Sequence, residues 1–379
     1  MDLEAFCAYP FQRARVTCEG NVAMCCFMRP DPLKSESEAY IGNVLNNSFD
    51  EIWFGEVAES IRKDTLAGKL HSKCQTPGCP FRGMSLPYPK QQITYNEYPN
   101  FLEIDLPNTH CNVGGLSPDP IKSPACIMCE RSSPFFRPEK DHLFAVLDKI
   151  KYIVPNLRQI HIQGIAEPFY ESRQFGYLLF DILDILEFDK YAHQITISVT
   201  TNGTLLKKNV RQEYLSRVPH SITNFSIDAA TPETFKAIRI FDCFDKVLEN
   251  LYAFSEERVR VRQFLRIHNN INTMNVHEVV GMVHIGHKAN VEYVEFSPTD
   301  GFNHKILVTE DTCGIFRKAQ LDIIDECQKL GVPYNFIRPL DLGMTERLVQ
   351  LTLYMNSNLG HRALCGRLAK SMSLPAMSF

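Results

Sequence analysis

Three cysteines in one stretch of the chain, Cys111, Cys126 and Cys129, are its most chemically distinctive feature. Fourteen residues separate the first two, and two residues separate the last two. Residues 101–106 follow an alternating pattern, which predicts a strand with one buried face just before the cysteines. The thiols would then lie in a loop at the carboxyl end of a strand, where α/β folds bind their ligands. Such a loop could bind zinc, iron or no metal, and we interpret it as the holder of an iron–sulfur cluster.

The remaining cysteines also cluster. Of thirteen in total, six fall within residues 1–95: Cys7, Cys18, Cys25, Cys26, Cys74 and Cys79. The first residues carry acidic side chains and lack the basic and apolar regions of a secretory signal. Disulfides are the alternative, but clustered cysteines in a chain without an export signal favour metal binding in the cytoplasm.

Composition narrows the class of protein. The chain has 379 residues, which is long enough for two or three domains or for one large domain with an appendage. Of these residues 44% are hydrophobic and 22% are charged, as in an ordinary soluble globular protein. Its formal net charge of −4 gives no reason to expect a nucleic acid or an anionic membrane as partner. No run of about eighteen apolar residues is present, so we expect no membrane span.

From residue 101 onward, strand patterns alternate with helix patterns. This alternation predicts a parallel sheet with helical crossovers, and six such units suit an α/β partial barrel of the (β/α)6, TIM-like type. We expect an N-terminal domain over residues 1–95, the barrel over 96–308, and a mainly helical extension over 309–379 with a possible strand at 332–337. The predicted strands are residues 101–106, 159–163, 195–200, 224–227, 260–267 and 291–296, and the helical stretches are 175–188, 205–218, 244–254 and one starting near Asn275.

Two elements are predicted in the N-terminal region. Residues 14–26 have the pattern of a hairpin with its turn at 19–21. The stretch around Ile52 has helical spacing, with Ser48 or Asp50 as its cap and Gly68 near its end. Residues 86–100, which are rich in Pro, Gln and Tyr, are expected to link this region to the barrel.

Polar and glycine-containing motifs follow the next three predicted strands in order. They are Gly164-Ile165-Ala166-Glu167-Pro168, then Thr201-Asn202-Gly203-Thr204, then Ser226-Ile227-Asp228 followed by PETFKAIR at 232–239. Together with the cysteine loop, this succession resembles the radical S-adenosylmethionine (radical SAM) enzymes over roughly residues 100–300.

The resemblance implies a cofactor site. Three cysteines, here Cys111, Cys126 and Cys129, would bind a [4Fe–4S] cluster whose fourth iron is chelated by S-adenosylmethionine. Gly164 and Glu167 match the family's Gly-Gly-Glu-Pro element, and Glu167 would contact the ammonium group of the cofactor. Further cofactor contacts would come from four residues at the next strand ends: Thr201, Asn202, Ser226 and Asp228.

The chain departs from the family pattern in two places. The family's first cysteine gap is three residues, whereas here it is fourteen, which adds only modestly to the entropy of closing the loop. Ile165 stands where the second glycine is expected, with Ala166 inserted before Glu167. Asp228 has an alternative role as a cap for the helix that follows it.

The N-terminal cysteines resemble the auxiliary-cluster module of this superfamily, of the SPASM or twitch type. The module usually follows the barrel, but here it precedes it. Four thiolates are what a cluster without an open iron requires, although they would suit structural zinc equally well. The implied ligands are Cys7, Cys25, Cys74 and Cys79, with Cys26 as the alternative to Cys25.

The resemblance implies a radical SAM enzyme in which a 5′-deoxyadenosyl radical abstracts hydrogen from a substrate. The auxiliary [4Fe–4S] cluster would assist an oxidation or dehydrogenation, or the reaction would be an epimerisation. Cys18 is a candidate hydrogen donor for an epimerisation. Alternatively, Cys18 is a half-buried residue of the hairpin without a chemical role. A small polar or sugar-like substrate is favoured over a ribosomal peptide. A flavodoxin or ferredoxin is the expected reductant. The rival function is that of a non-catalytic metal-binding protein on a degenerate barrel.

Overall fold

The fold is described by a computed structural model over residues 7–26, 28, 39–74, 97–113, 126–129, 131, 139–172, 176–299, 306 and 313–337. The predictions that concern Cys79, most of the linker 86–100, the interior of the cysteine loop and the chain beyond residue 337 lie outside the described residues.

Most of the strands belong to one ten-stranded sheet. Its strands are β1 (Arg13–Val16), β2 (Asn21–Ala23), β3 (Gly42–Asn43), β4 (Phe101–Asp105), β5 (Gln159–Gln163), β8 (Thr196–Thr201), β9 (Ser221–Ser226), β10 (Gln263–Ile271), β11 (Tyr293–Pro298) and β12 (Tyr334–Phe336), while β6 (Glu171–Ser172) and β7 (Gly176–Tyr177) form a separate pair. The order across the sheet is β12-β11-β10-β9-β8-β5-β4-β1-β2-β3. All neighbouring pairs from β12 to β1 are parallel, and β2 and β3 are added in antiparallel fashion.

Helices connect the parallel strands, as the alternating pattern predicted. One or two helices lie in each of the six connections from β4 to β12, which confirms the α/β class. The partial-barrel closure and the domain boundaries stay predictions. The α-helices are α1 (Tyr9–Gln12), α2 (Phe49–Trp53), α3 (Glu56–Leu66), α4 (Leu143–Ile150), α5 (Leu178–Ile185), α6 (Lys208–Arg217), α7 (Pro232–Arg239), α8 (Phe244–Glu257), α9 (Val279–Lys288) and α10 (Cys313–Leu330), with 3₁₀ turns at Ser72–Cys74, Lys151–Asn156, Phe188–Lys190 and Val276–Glu278.

The N-terminal region is joined to the main sheet through β1. This strand pairs with β2 across the predicted hairpin, whose turn contains Gly20 at φ +86°, and with β4 on its other side. The predicted single helix around Ile52 is two helices, α2 and α3. Gly55 begins the second helix, and a Cβ there would lie 2.2 Å from the carbonyl oxygen of Glu51. Ser48 caps α2 in a capping box with Glu51, so Ser48 rather than Asp50 begins the helix.

The two faces of the parallel sheet differ in chemistry. On one face, apolar side chains such as Ile104, Ile162 and Val199 are buried in the same core as the apolar sides of the helices. The opposite face, which we call the polar face, carries the alternate residues of the same strands. Its members, identified by strand register, include Arg13, Arg15, Glu103, Asp105, His161, Gln163, Asn224, Arg266, His268 and Asn270.

Candidate functional site

The structure brings Cys111, Cys126 and Cys129 together despite the long gap between them. Each thiol lies within electrostatic reach of the other two, and the Cys129 amide donates to the Cys126 carbonyl over 2.9 Å in a tight turn. Burial raises the pKa of all three thiols, and the pKa of Cys111 rises to about 11. The loop that carries Cys111 follows β4 directly, at the carboxyl edge of the sheet.

Two buried arginines favour the thiolate form of these cysteines. Arg131 opposes the raised pKa of Cys111 and of Cys129, and Arg239 opposes the raised pKa of Cys126 and of Cys129. Both side chains are more than nine-tenths buried. Since the thiolate is the form that binds metal, this donor set fits an iron–sulfur cluster. Sequence reasoning missed both arginines, although one lies two residues after Cys129 and the other ends PETFKAIR.

Glu167 is fully buried beside the cysteine loop, with its carboxylate bound by three donors. Thr201 Oγ1 donates to Oε1 (2.7 Å), the Asn202 amide to Oε2 (2.7 Å) and the Phe169 amide to Oε1 (3.1 Å). Burial raises the pKa of this carboxyl to about 7, against the lowering effect of the three hydrogen bonds. The Glu167 amide donates to the carbonyl of His110, so the acid is fixed next to Cys111.

Gly164 begins the same connection in a conformation that only glycine adopts readily. Its φ is +129°, and a Cβ would lie 2.9 Å from the carbonyl oxygen of Leu106, at the end of β4. The close approach of these two backbones holds the β4 and β5 loops side by side.

The turn after β8 is connected directly to the cysteine loop. Asn202 Nδ2 donates to Asn112 Oδ1 (3.0 Å), and Asn112 Nδ2 donates to Thr204 Oγ1 (2.8 Å). Thr201 and Asn202 also supply donors to Glu167, so the turn joins two of the predicted cofactor-binding segments. Asn112 follows Cys111 immediately, and its role was not foreseen from the sequence.

The residues that follow β9 form a second connection to the cysteines. Arg239 pairs with the buried carboxylate of Asp228 and donates to Ser226 Oγ (2.8 Å), and its carbonyl accepts from Cys126 Sγ (3.8 Å). The alternative role of Asp228 as a helix cap is wrong, because Thr231 is the N-cap of α7 and accepts from the amide of Thr234. Ser226 and Asp228 therefore lie at the same edge of the sheet as the cysteine loop.

The N-terminal cysteines lie in half-buried positions. Cys7, Cys25, Cys26 and Cys74 are all partly exposed, Cys25 and Cys74 pack against the core, and Cys26 lies within electrostatic reach of Arg13. Cys18, Cys111, Cys126, Cys243 and Cys327 are free thiols. No group of three or more His, Cys, Asp or Glu side chains within the described ranges is arranged around a single metal ion.

Cys18 is fully buried just after β1, at the same carboxyl edge of the sheet. Its thiol donates to Glu139 Oε2 (3.5 Å), and the same oxygen accepts from the amide of Asn108 (3.0 Å), which precedes the cysteine loop. Burial and the neighbouring Glu139 carboxylate raise the pKa of the thiol far above its usual value. Cys18 is thus held protonated near the start of the cysteine loop.

Comparison with known proteins agrees with the sequence prediction. Residues 7–80 match the family model of SPASM, an iron–sulfur cluster-binding domain. A GTP 3′,8-cyclase of Rhizobium etli (strain CIAT 652) is 26% identical over 232 residues. That match covers 58% of this chain and 62% of the relative, so the chain spans less than two thirds of the relative's length.

Solved structures are also similar in part. SuiB of Streptococcus suis bound to S-adenosylmethionine gives a TM-score of 0.46 at 16% identity, covering 63% of this chain and 50% of that one. The native anSMEcpe with bound AdoMet gives a TM-score of 0.45 at 15% identity, covering 62% and 63%. The prediction that the chain resembles radical SAM enzymes with a SPASM module is confirmed. Among the described residues, no helix combines the length and hydrophobicity needed to cross a membrane.

Proposed function

We propose that the chain is a radical SAM enzyme whose SAM-binding cluster is held by Cys111, Cys126 and Cys129. The observation that carries the proposal is the convergence of these thiols with Glu167 at one edge of the parallel sheet. When bound and reduced, such a cluster supplies the electron that cleaves S-adenosylmethionine to methionine and the 5′-deoxyadenosyl radical. The protein's part is to orient the cofactor and to exclude water.

The residues around the thiols would bind S-adenosylmethionine. The Glu167 carboxylate, an acceptor of three hydrogen bonds, would accept from the ammonium group as well. The close approach of Gly164 to the backbone of Leu106 holds the β5 loop against the β4 loop, where the amino acid part would bind. The remaining contacts would come from the two strand-end pairs, Thr201 with Asn202 and Ser226 with Asp228.

A second [4Fe–4S] cluster would be bound by the N-terminal SPASM module through Cys7, Cys25, Cys74 and Cys79, with Cys26 as the alternative to Cys25. The family match over residues 7–80 supports an iron–sulfur cluster in preference to zinc. Because this module shares the sheet of the main domain through β1, its cluster would be the acceptor for an electron leaving the substrate. A flavodoxin or ferredoxin would reduce the clusters, and the location would be cytoplasmic.

The reaction is an oxidation or dehydrogenation, or an epimerisation, of a small polar or sugar-like substrate; modification of a peptide is the alternative. Cys18 bears on this choice because its protonated thiol is the form that a hydrogen-atom donor requires. With a substrate in hand, turnover in D2O places one deuterium in the product of an epimerisation and none in the product of an oxidation. Loss of that deuterium in Cys18→Ala would support the donor role, and its retention would rule the role out.

The proposed function is tested by anaerobic purification, metal analysis and incubation with a reductant and S-adenosylmethionine. We expect about eight irons per chain and formation of 5′-deoxyadenosine. Alanine at Cys111, Cys126 and Cys129 should leave about four irons and abolish 5′-deoxyadenosine. Bound zinc without cofactor cleavage would instead support the rival function of a non-catalytic metal-binding protein.

A further inference from the structure

The polar face of the sheet borders a space open to solvent. Its side chains on the inner strands β5 and β10, among them His161, Arg266 and His268, are partly exposed, whereas the alternate residues between them are buried under the helices. Central strands of a sheet covered on both faces would show no such alternation in exposure. The polar face is therefore less completely covered than the face that packs against the helices.

Charged side chains of this face act on one another across the strands. His161 on β5 and Arg266 on β10 are three strand spacings apart, and the charges of Arg13 and Arg266 both disfavour a protonated His161. Burial is the main cause that lowers the pKa of His161 to about 4, while the carboxylate of Glu103 acts in the opposite direction.

Several buried polar atoms on this face have no hydrogen-bond partner within the part of the chain that the structure describes. They are Asn224 Oδ1, His161 Nε2 and Nη1 of Arg15, whereas Nε of Arg15 lies 3.6 Å from Glu103 Oε1 in an ion pair. Asn224 is 4% exposed and Arg15 is 7% exposed. A buried donor or acceptor left without a partner is costly, so a molecule that pairs with these atoms would gain binding energy from them.

The charges around these atoms indicate the chemical class of a molecule that could bind there. Arg15 pairs with Asp105, and Arg13 with Glu103, so the cations of β1 already face carboxylates. His161 is neutral at pH 7 because its pKa is lowered to about 4. The same face carries Arg266, which donates to Tyr293 Oη, and Glu295, which is in register with His268. It therefore presents a donor from Arg15, an acceptor from Asn224 and a neutral ring nitrogen among side chains of both charges. Hydroxyl groups, which both donate and accept, match this set better than a phosphate or an apolar side chain.

We propose that the polar face binds a small hydroxylated molecule, a sugar or cyclic polyol, through Asn224, His161 and Arg15. The inference rests on the proposed function, for which this molecule is the substrate. The face continues into the cofactor site, because Asn224 and Ser226 are alternate residues of β9 on the same side, and His268 pairs in register with Ser226. A molecule held here lies beside the place where S-adenosylmethionine would be cleaved.

The test uses the anaerobically purified protein with S-adenosylmethionine bound. A defined mixture of pentoses, hexoses, amino sugars, inositols and nucleosides, with an equal number of peptides of five to ten residues, is equilibrated with the protein and filtered. Mass spectrometry then identifies the compounds retained. Two variants remove the partnerless atoms while keeping size and shape, Asn224→Leu and His161→Phe, the second of which retains the ring contact with Phe101. Their matched controls are Asn46→Leu and His193→Phe at exposed positions.

We expect the wild type and both controls to retain a hydroxylated compound, and Asn224→Leu and His161→Phe to bind it at least tenfold more weakly. Without ligand, the Tm of Asn224→Leu should fall only slightly, because the substitution loses the long hydrogen bond from Nδ2 to Thr200 Oγ1 (3.4 Å) but none from Oδ1. Retention of peptides, retention of no hydroxylated compound, or equal binding by the two variants would overturn the inference. Formation of 5′-deoxyadenosine, measured in the same samples, separates this failure from a failure of the proposed function, which would abolish it.

Discussion

Replacing Glu167 by glutamine should remove a large part of the pH dependence of the protein's stability. The carboxyl is fully buried, and burial raises its pKa from 4.5 to about 7 despite three hydrogen bonds. In the unfolded chain the same group titrates near its ordinary value, so between these two pH values the folded protein binds more protons than the unfolded one. Stability must therefore fall as the pH rises through this window.

The size of the effect follows from the shift. Each pKa unit corresponds to about 1.4 kcal/mol, so the wild type should lose about 3 kcal/mol of unfolding free energy between pH 4.5 and pH 7 through Glu167 alone. Glutamine keeps the shape but places an amide against one of the donors, so we expect the variant to be less stable at pH 5 by about 1–3 kcal/mol.

Urea unfolding of both proteins from pH 4.5 to pH 8, without S-adenosylmethionine, measures the difference. Other titrating groups are common to the two proteins and cancel in the comparison. The curve for the wild type minus that for Glu167→Gln should decline with pH and level off above pH 7. A difference that is flat with pH, or that grows with pH, would refute the reasoning that Glu167 is a buried carboxyl with a raised pKa.

Two further substitutions test the geometry of the site. Gly164→Ala should destabilise the protein by about 1–3 kcal/mol more than Gly176→Ala, since both glycines have positive φ but only the first meets a backbone, that of Leu106; equal urea midpoints would contradict the close approach. Arg239→Gln should lower the free energy of unfolding by about 3–5 kcal/mol, because it leaves the buried carboxylate of Asp228 without its cation. The double variant that also carries Asp228→Asn should recover much of this loss of stability. If it does not, the broken ion pair is not the cause of the loss.

The parts of the fold that depend on local pattern could be predicted from the sequence. Alternating segments such as 159–163 became strands, and the hairpin around Gly20 formed as its turn residues indicated. The parallel pairing of β1 with β4 was not foreseen, because 84 residues or more lie between them and no local pattern encodes such a contact. The break at Gly55 was also missed, since helical spacing alone continues across it.

The candidate site was foreseen in its residues but not in the groups that support them. The strand-end motifs contain Glu167, Thr201 and Asp228, which the resemblance picked out. Arg131 and Arg239 were not picked out, because in a sequence a buried arginine is indistinguishable from a surface one until its carboxylate or thiolate partners are placed around it. The polar face could not be predicted from the sequence either. A period of two shows that the faces of a strand differ, but not which buried polar atoms on the polar face lack partners.

The central claim is that S-adenosylmethionine binds directly to a cluster held by Cys111, Cys126 and Cys129. It is tested by the electron paramagnetic resonance spectrum of a variant with alanine at Cys7, Cys25, Cys74 and Cys79, which retains only that cluster. After reduction, the account predicts about four irons per chain and a spectrum that changes on addition of S-adenosylmethionine. A variant without a cluster, or a spectrum that stays the same with and without S-adenosylmethionine, would contradict it.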